Sequence, residues 1–372
     1  MYYKKKKLFV FLSLWIVLSM GLINAQTDTM SKELKSPVGL LKSKVHDEQR
    51  KKYDEQLKKY QEADINKDGK ITFEEIIDYR KKIGTPIGIE AVYTDVKYGA
   101  HSQNAFDIWL AKSKQPTPLV IFIHGGGFEK GDKTNIKPLY MVALLDSGIS
   151  VASINYRFYN QDSLGILGCL KDSKYCLQFI RYHSKKYNID KKRIACYGKS
   201  AGAGTSLWLA FHDEMADATS TDPVLRESTR LACAGALNTQ STYDRDRWSN
   251  IIGLNKSDSA RLMYVDRKFV FRGEKGKTIR AELDFLEQMS ADDPPIFIYN
   301  EQVGGVPMIG VPVKEANSRI GHHPLHAKKL KEKADQVGIE AIAYAPQIGL
   351  VDPSGETLVS FMARILLHYS KH

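Results

Sequence analysis

Cysteine is scarce in this chain: four residues in 372. None lies in a C-x-x-C pair or at Cys/His spacing, which excludes a zinc finger or a thiol-redox motif. Cys169 and Cys176 are near enough in sequence to bridge, a pairing that the sequence leaves open. Cys196 and Cys233 fall in expected buried strands, where a lone thiol packs as a small apolar filler. The sequence also lacks an internal repeat, a helix-turn-helix pattern and an RNA-recognition signature. Basic residues are scattered, not clustered, so nucleic-acid binding is not expected. After residue 25 there is no apolar run of membrane-spanning length.

One apolar run does occur, at the start. Lys4–Lys7 precede sixteen apolar-rich residues, LFVFLSLWIVLSMGLI, and the chain then offers Ala25 as a small residue for cleavage. Residues 1–25 thus read as a signal peptide, with an uncleaved anchor as the alternative. The expected location is periplasmic or secreted, with no stable membrane span after cleavage. Without Lys4–Lys7 the balance is 50 basic against 43 acidic residues, moderately basic. A hydrophobic content of 43% is enough for a sizeable core and excludes wholesale disorder.

Residues 26–45 are polar and read as a linker. Residues 46–84 form two helical stretches around DINKDGKITFEE, residues 64–75. That pattern fits an EF-hand calcium loop. Asp64, Asn66 and Asp68 supply side-chain oxygens, and Gly69 the sharp bend. Lys70 gives its carbonyl, Thr72 the ninth position and Glu75 a two-oxygen ligand. A single hand is expected to bind calcium weakly and to brace the segment. The alternative is an Asx-rich turn between two helices.

From residue 89 the texture changes. Apolar runs at 119–124, 151–156 and 193–198 read as buried strands, and later strands are expected in LACAGAL, IFIYN and IEAIAYA. Helical patterns alternate with them, including 170–187, where His183 reads as a packing residue. The alternation predicts a mostly parallel central sheet flanked by helices, an α/β fold. Residues 213–231 and 238–293 fit this scheme poorly and read as lid or pocket insertions. Tyr243, Trp248 and several arginines in the second are candidates for pocket lining or plain packing.

Two motifs carry chemistry. Gly198-Lys199-Ser200-Ala201-Gly202 follows a strand and opens a helix, the setting of a nucleophile elbow. His124-Gly125-Gly126-Gly127-Phe128 follows another strand. Its glycine N–H groups, with that of Ala201, are placed to form an oxyanion hole. His124 is expected to shape this loop and not to move protons. HGGGF, Asn155-Tyr156-Arg157 and IDKKRIACYGKSAGAG together resemble the secreted bacterial α/β-hydrolases of the esterase/lipase kind, near the hormone-sensitive-lipase-like group. The resemblance covers residues 89–372.

That resemblance implies an α/β-hydrolase fold, carboxylic ester hydrolysis through an acyl-serine, and a Ser–acid–His triad with no catalytic cofactor. It implies an ester substrate, a small acyl or aryl ester, including acetyl or feruloyl groups on polysaccharides. The acid is expected after IFIYN and the histidine after IEAIAYA. The chain departs from both: Gly349 is followed by Leu350 where the family has Gly-His. His323 or His322, in the loop after IFIYN, is then the candidate base, and Asp352 or Glu301 the candidate acid. Two other readings stand beside this one: a non-catalytic binding protein on the same scaffold, and a serine peptidase.

Overall fold

Strands that are apolar on both sides belong at the centre of a sheet covered on both faces. Thr117–Ile123, Ser150–Ile154 and Ala234–Leu237 are buried at every position. A computed structural model describes residues 61–65, 67, 73–83, 91–161, 163–254, 273–303 and 318–368. In chain order its main elements are α1 (Phe73–Lys82), β1 (Tyr93–Lys97), β2 (Ala105–Trp109), β3 (Thr117–Ile123), α2 (Pro138–Asp146), β4 (Ser150–Ile154), α3 (Ile166–Tyr182), β5 (Ile189–Lys199) and α4 (Ala201–Phe211). Then come β6 (Ala234–Leu237), α5 (Gly273–Leu283), β7 (Ile296–Tyr299), α6 (Leu325–Val337), β8 (Ala341–Ala345), β9 (Leu350–Val351) and α7 (Leu358–Leu367).

The nine strands form one sheet in the order β1-β2-β4-β3-β5-β6-β7-β8-β9. From β4 across to β8 all pairings are parallel. β1, β2 and β9 pair antiparallel at the edges. Side chains alternate between two cores, as a pleated strand requires. Leu119, Ile121 and Ile123 of β3 join the core under α3, α4 and α6. Val120 and Phe122 join the opposite core, with α1, α2 and α7. The strand–helix alternation read from the sequence is therefore the architecture found.

α1 lies on the second face, not on a separate body. Ile76 and Tyr79 are buried in that core. Arg80 donates to both carboxylate oxygens of Asp146 at the end of α2, at 2.7 and 2.8 Å. The described residues fall in one compact unit, and no helix among them is long and apolar enough to cross a membrane. The signal and linker segments lie outside the described residues. Cys169, Cys176, Cys196 and Cys233 are all buried and none is in a disulfide, so the Cys169–Cys176 bridge left open above is not present.

Three elements had no sequence expectation: α2, β9 and α5, the last inside the stretch read as an insertion. α2 is apolar on nearly every side, so it shows no helical period. β9 is two residues long and returns antiparallel along β8 after Gly349, whose φ of 75° turns the chain back. This hairpin occupies the loop where the resemblance implied a catalytic histidine.

Candidate active site

The elbow is built by close approach of main chains. β5 ends at Lys199 and α4 begins at Ala201. Between them Ser200 has φ 55° and ψ −119°, a backbone state that costs a non-glycine residue on the order of 1–3 kcal/mol. It is pinned by its own N–H, which donates to the Leu237 carbonyl at 2.9 Å. A Cβ on Gly202 would collide with the Ile123 carbonyl, and one on Gly198 with the Gly202 backbone. Only glycine at both positions lets α4 sit so near the end of β3. That is the physical reason for small residues around this hydroxyl.

The triple-glycine loop lies directly against the elbow. A Cβ built on Gly125 would stand 2.5 Å from the Lys199 carbonyl oxygen and 3.4 Å from Ser200 Cβ. Gly126 and Gly127 have φ of 110° and 64°, values that favour glycine. The loop closes with the Glu129 and Lys130 N–H groups donating to the Gly126 carbonyl. His124 is fully buried and stacks on Tyr156 at 4.3 Å between ring centroids. Burial pushes its pKa down. The Tyr156 hydroxyl donates to the His124 carbonyl at 2.8 Å, so both residues brace the loop, the role expected of His124. Ala201 is the first residue of α4, so its N–H has no acceptor within the helix.

The serine's partner is His322. Ser200 Oγ stands 2.7 Å from His322 Nε2. The other ring nitrogen, Nδ1, is 2.8 Å from the Ser318 carbonyl oxygen. A carbonyl only accepts, so Nδ1 carries the hydrogen and Nε2 presents its lone pair to the Ser200 hydroxyl. Burial pushes the His322 pKa below its ordinary value; the Ser318 carbonyl opposes this, and the charge of Lys199 adds to it. The segment is held by buried amides. Gln240 Nε2 donates to the Gly321 carbonyl at 2.6 Å, and Asn300 Nδ2 to the His322 carbonyl at 3.0 Å. His326, fully buried, accepts from the Ser241 N–H at Nδ1 and donates from Nε2 to the Ile320 carbonyl.

Of the two histidines left open by the sequence, the fold brings His322 to the serine. His323 points elsewhere: it is buried, and its Nδ1 accepts from the Leu325 N–H at 3.2 Å. Neither candidate acid hydrogen-bonds His322. Glu301 is bound to Asn238, whose side-chain amide donates to Oε1 at 3.1 Å. Asp352 accepts from the Ser354 N–H at 2.9 Å, capping the turn after β9. The carbonyl of Ser318 occupies the place expected of a carboxylate. No sequence signal marks it, because every residue carries a carbonyl. Asn300, read from the sequence as the last residue of the strand IFIYN, instead follows β7, and its role was overlooked.

Tyr243 and Trp248 are packing residues, not pocket lining. Tyr243 is fully buried, and its ring end lies where a Cβ on Gly204 would be. The Trp248 indole donates to the Thr242 carbonyl at 2.8 Å. Of the expected calcium ligands, Asp64 and Glu75 are half-buried. Asn66, Asp68, Lys70 and Thr72 lie outside the described residues. Among the described residues no group of three or more His, Cys, Asp or Glu is placed to hold a metal ion.

The sheet, the helices on both faces and the strand–serine–helix turn define an α/β-hydrolase of esterase type. Residues 106–303 match the BD-FAE family model, and the chain belongs to that family. It resembles in fold an acetyl ester-xyloside bifunctional hydrolase from Caldicellulosiruptor lactoaceticus. The two share 18% identity at a TM-score of 0.51, over 68% of this chain and 85% of that one. A truncated carbohydrate esterase from gut microbiota gives 18% identity and a TM-score of 0.50, over 67% of this chain and 85% of that one. At such identity the likeness is one of fold. Among curated relatives, a juvenile hormone esterase of Tribolium castaneum is 29% identical over 104 residues, 25% of this chain and 17% of that protein. Gut esterase 1 of Caenorhabditis elegans is 24% identical over 139 residues, 35% of this chain and 25% of that protein. The match thus spans a quarter or less of either relative's length.

Proposed function

We propose that the protein is an exported serine carboxylic ester hydrolase that works through an acyl-serine with His322 as its base. The observation that carries this reading is the 2.7 Å contact between Ser200 Oγ and His322 Nε2, beside the triple-glycine loop. The Ser200 oxygen attacks the ester carbonyl carbon while Nε2 takes its proton. The carbonyl electron pair moves onto oxygen, where N–H groups of Gly126, Gly127 and Ala201 receive the negative charge. Collapse of this intermediate breaks the bond to the alcohol oxygen, which leaves with the proton from Nε2. Water then attacks the acyl-serine by the same route. The carboxylic acid departs and the serine regains its hydrogen.

The Ser318 carbonyl fixes the correct tautomer of His322 but carries no full charge to stabilise the imidazolium. This favours substrates with good leaving groups, such as aryl esters. Acetyl or aryl-acyl groups on polysaccharides fit the same chemistry, and the fold-level resemblance to carbohydrate-active hydrolases supports that class. The triple-glycine loop favours an esterase over a peptidase. The leading segment 1–25 supports export to the periplasm or beyond.

A fluorophosphonate probe on the intact protein tests the reading. Labelling is expected for the wild type, and its loss for Ser200→Ala and for His322→Ala. That no carboxylate among the described residues bonds His322 is the one feature that favours a non-catalytic binding protein; no Ser200-dependent labelling would establish that alternative.

A further inference from the structure

The His322 ring donates to the neutral Ser318 carbonyl, and no carboxylate among the described residues bonds it. Its aim at Ser200 still has to be held, because a misplacement of about 1 Å costs on the order of a hundredfold in rate. The backbone that carries the ring shows how. Three successive carbonyls, those of Ile320, Gly321 and His322, each accept a hydrogen from a different buried side chain. His326 Nε2 reaches Ile320 at 3.0 Å, Gln240 Nε2 reaches Gly321 at 2.6 Å, and Asn300 Nδ2 reaches His322 at 3.0 Å.

Two of these donors are fixed from behind. Asn300 Oδ1 accepts from the Gln302 N–H at 2.9 Å, which turns the Nδ2 hydrogens toward His322. The Asn300 N–H donates to the Tyr344 carbonyl of β8 at 2.8 Å, so the side chain is anchored to the sheet. His326 Nδ1 accepts from the Ser241 N–H at 3.2 Å and from its hydroxyl at 2.9 Å, which leaves the hydrogen on Nε2. Burial pushes the His326 pKa down to about 3, so it donates as a neutral ring. Gln240 and Ser241 are adjacent in the loop after β6, so that loop grips the segment directly and again through His326. Asn300 follows β7. The histidine segment is thus tied to the sheet edge at which β5 presents Ser200. Opening it would strand buried polar groups, which is costly.

We infer that Gln240, Asn300 and His326 are positioning residues that do for the His322 backbone what a carboxylate would do for its ring. They keep Nε2 within reach of Ser200 Oγ. The assignment rests on the serine-esterase reading for its effect on rate, but the hold on His322 can be read without turnover.

Two measurements on the full chain test it, with Asn300→Leu and Gln240→Met each removing one donor and little volume. With 4-nitrophenyl acetate, kcat is expected to fall roughly ten- to a hundredfold while KM stays within about twofold. In a His322→Ala background the same substitutions should alter the residual rate by no more than about twofold, because a group that acts through His322 then has nothing to act on. The second measurement is the rate at which diethyl pyrocarbonate modifies His322, read by peptide mass spectrometry. It should rise severalfold in both variants as Nε2 parts from Ser200 Oγ. Melting temperature identifies a variant that fails to fold, and Gln240→Glu, which keeps the shape and replaces the donor with an acceptor, then takes its place. Unchanged kcat or unchanged modification of His322 in the folded variants overturns the assignment. An equal loss of rate in the His322→Ala background overturns it as well, by moving the effect away from His322. Should the wild type cleave no ester, the esterase reading falls and the modification rates alone decide the hold on His322.

Discussion

At Ser200 the chain accepts a strained backbone to expose one hydroxyl, and at His322 it orients an imidazole with a main-chain oxygen. The pair makes a prediction about pH. His322 must be neutral to accept the serine proton, so activity falls as pH drops through its pKa. Burial and the Lys199 charge both disfavour the protonated ring. The acid limb of kcat/KM should therefore lie below the ordinary imidazole value of about 6.5. Lys199→Met should move that limb upward, as a pH–rate profile of an aryl ester would reveal. An unshifted limb in the variant would remove Lys199 from the electrostatics of the site. The sequence made Ser200 and its glycines legible because their spacing is dictated by backbone collisions. It could not separate His322 from His323, which are adjacent and differ only in the direction they face. It misplaced the acid because the group beside Nδ1 is a peptide carbonyl, which has no signature in residue identity.

Among the elements, the strands were legible because their apolar runs match what a doubly covered sheet demands. α2 was missed because both its sides are apolar, and β9 because two residues leave no period. The elbow depends on contact between elements, which yields a stability prediction. Gly202→Ala would drive a methyl into the Ile123 carbonyl, forcing β3 and α4 apart at a cost of about 3 kcal/mol or more. Denaturant unfolding or a loss of soluble protein would register it; an unchanged midpoint would show that the elbow has slack. α1 is fastened differently, through Arg80 and Asp146. The arginine side chain is 6% exposed and the aspartate 34%. Arg80→Ala should cost about 1–2 kcal/mol, more than an exposed pair and less than a fully buried one.

Across the whole molecule, the fold joins groups that the chain keeps far apart. The sheet order sets the β3 loop, the β5 elbow and the loop after β7 around one edge, so residues 122 positions apart share a hydrogen bond. The amino-terminal loop at 64–75 is a separate matter of sequence pattern. Titrating calcium into the full chain should raise its melting temperature at millimolar concentration, the range of extracellular hands, and Asp64→Ala should abolish the rise. The most direct measurement concerns the edge itself: kcat for 4-nitrophenyl acetate in Ser200→Ala, His322→Ala, their double variant and His323→Gln. Each of the first two should lose about a thousandfold or more, and the double variant no more than the worse single, because the two groups act as a unit. His323→Gln should stay within about tenfold of the wild type. Full activity in His322→Ala would contradict the pairing of these two side chains as the hydrolytic machinery.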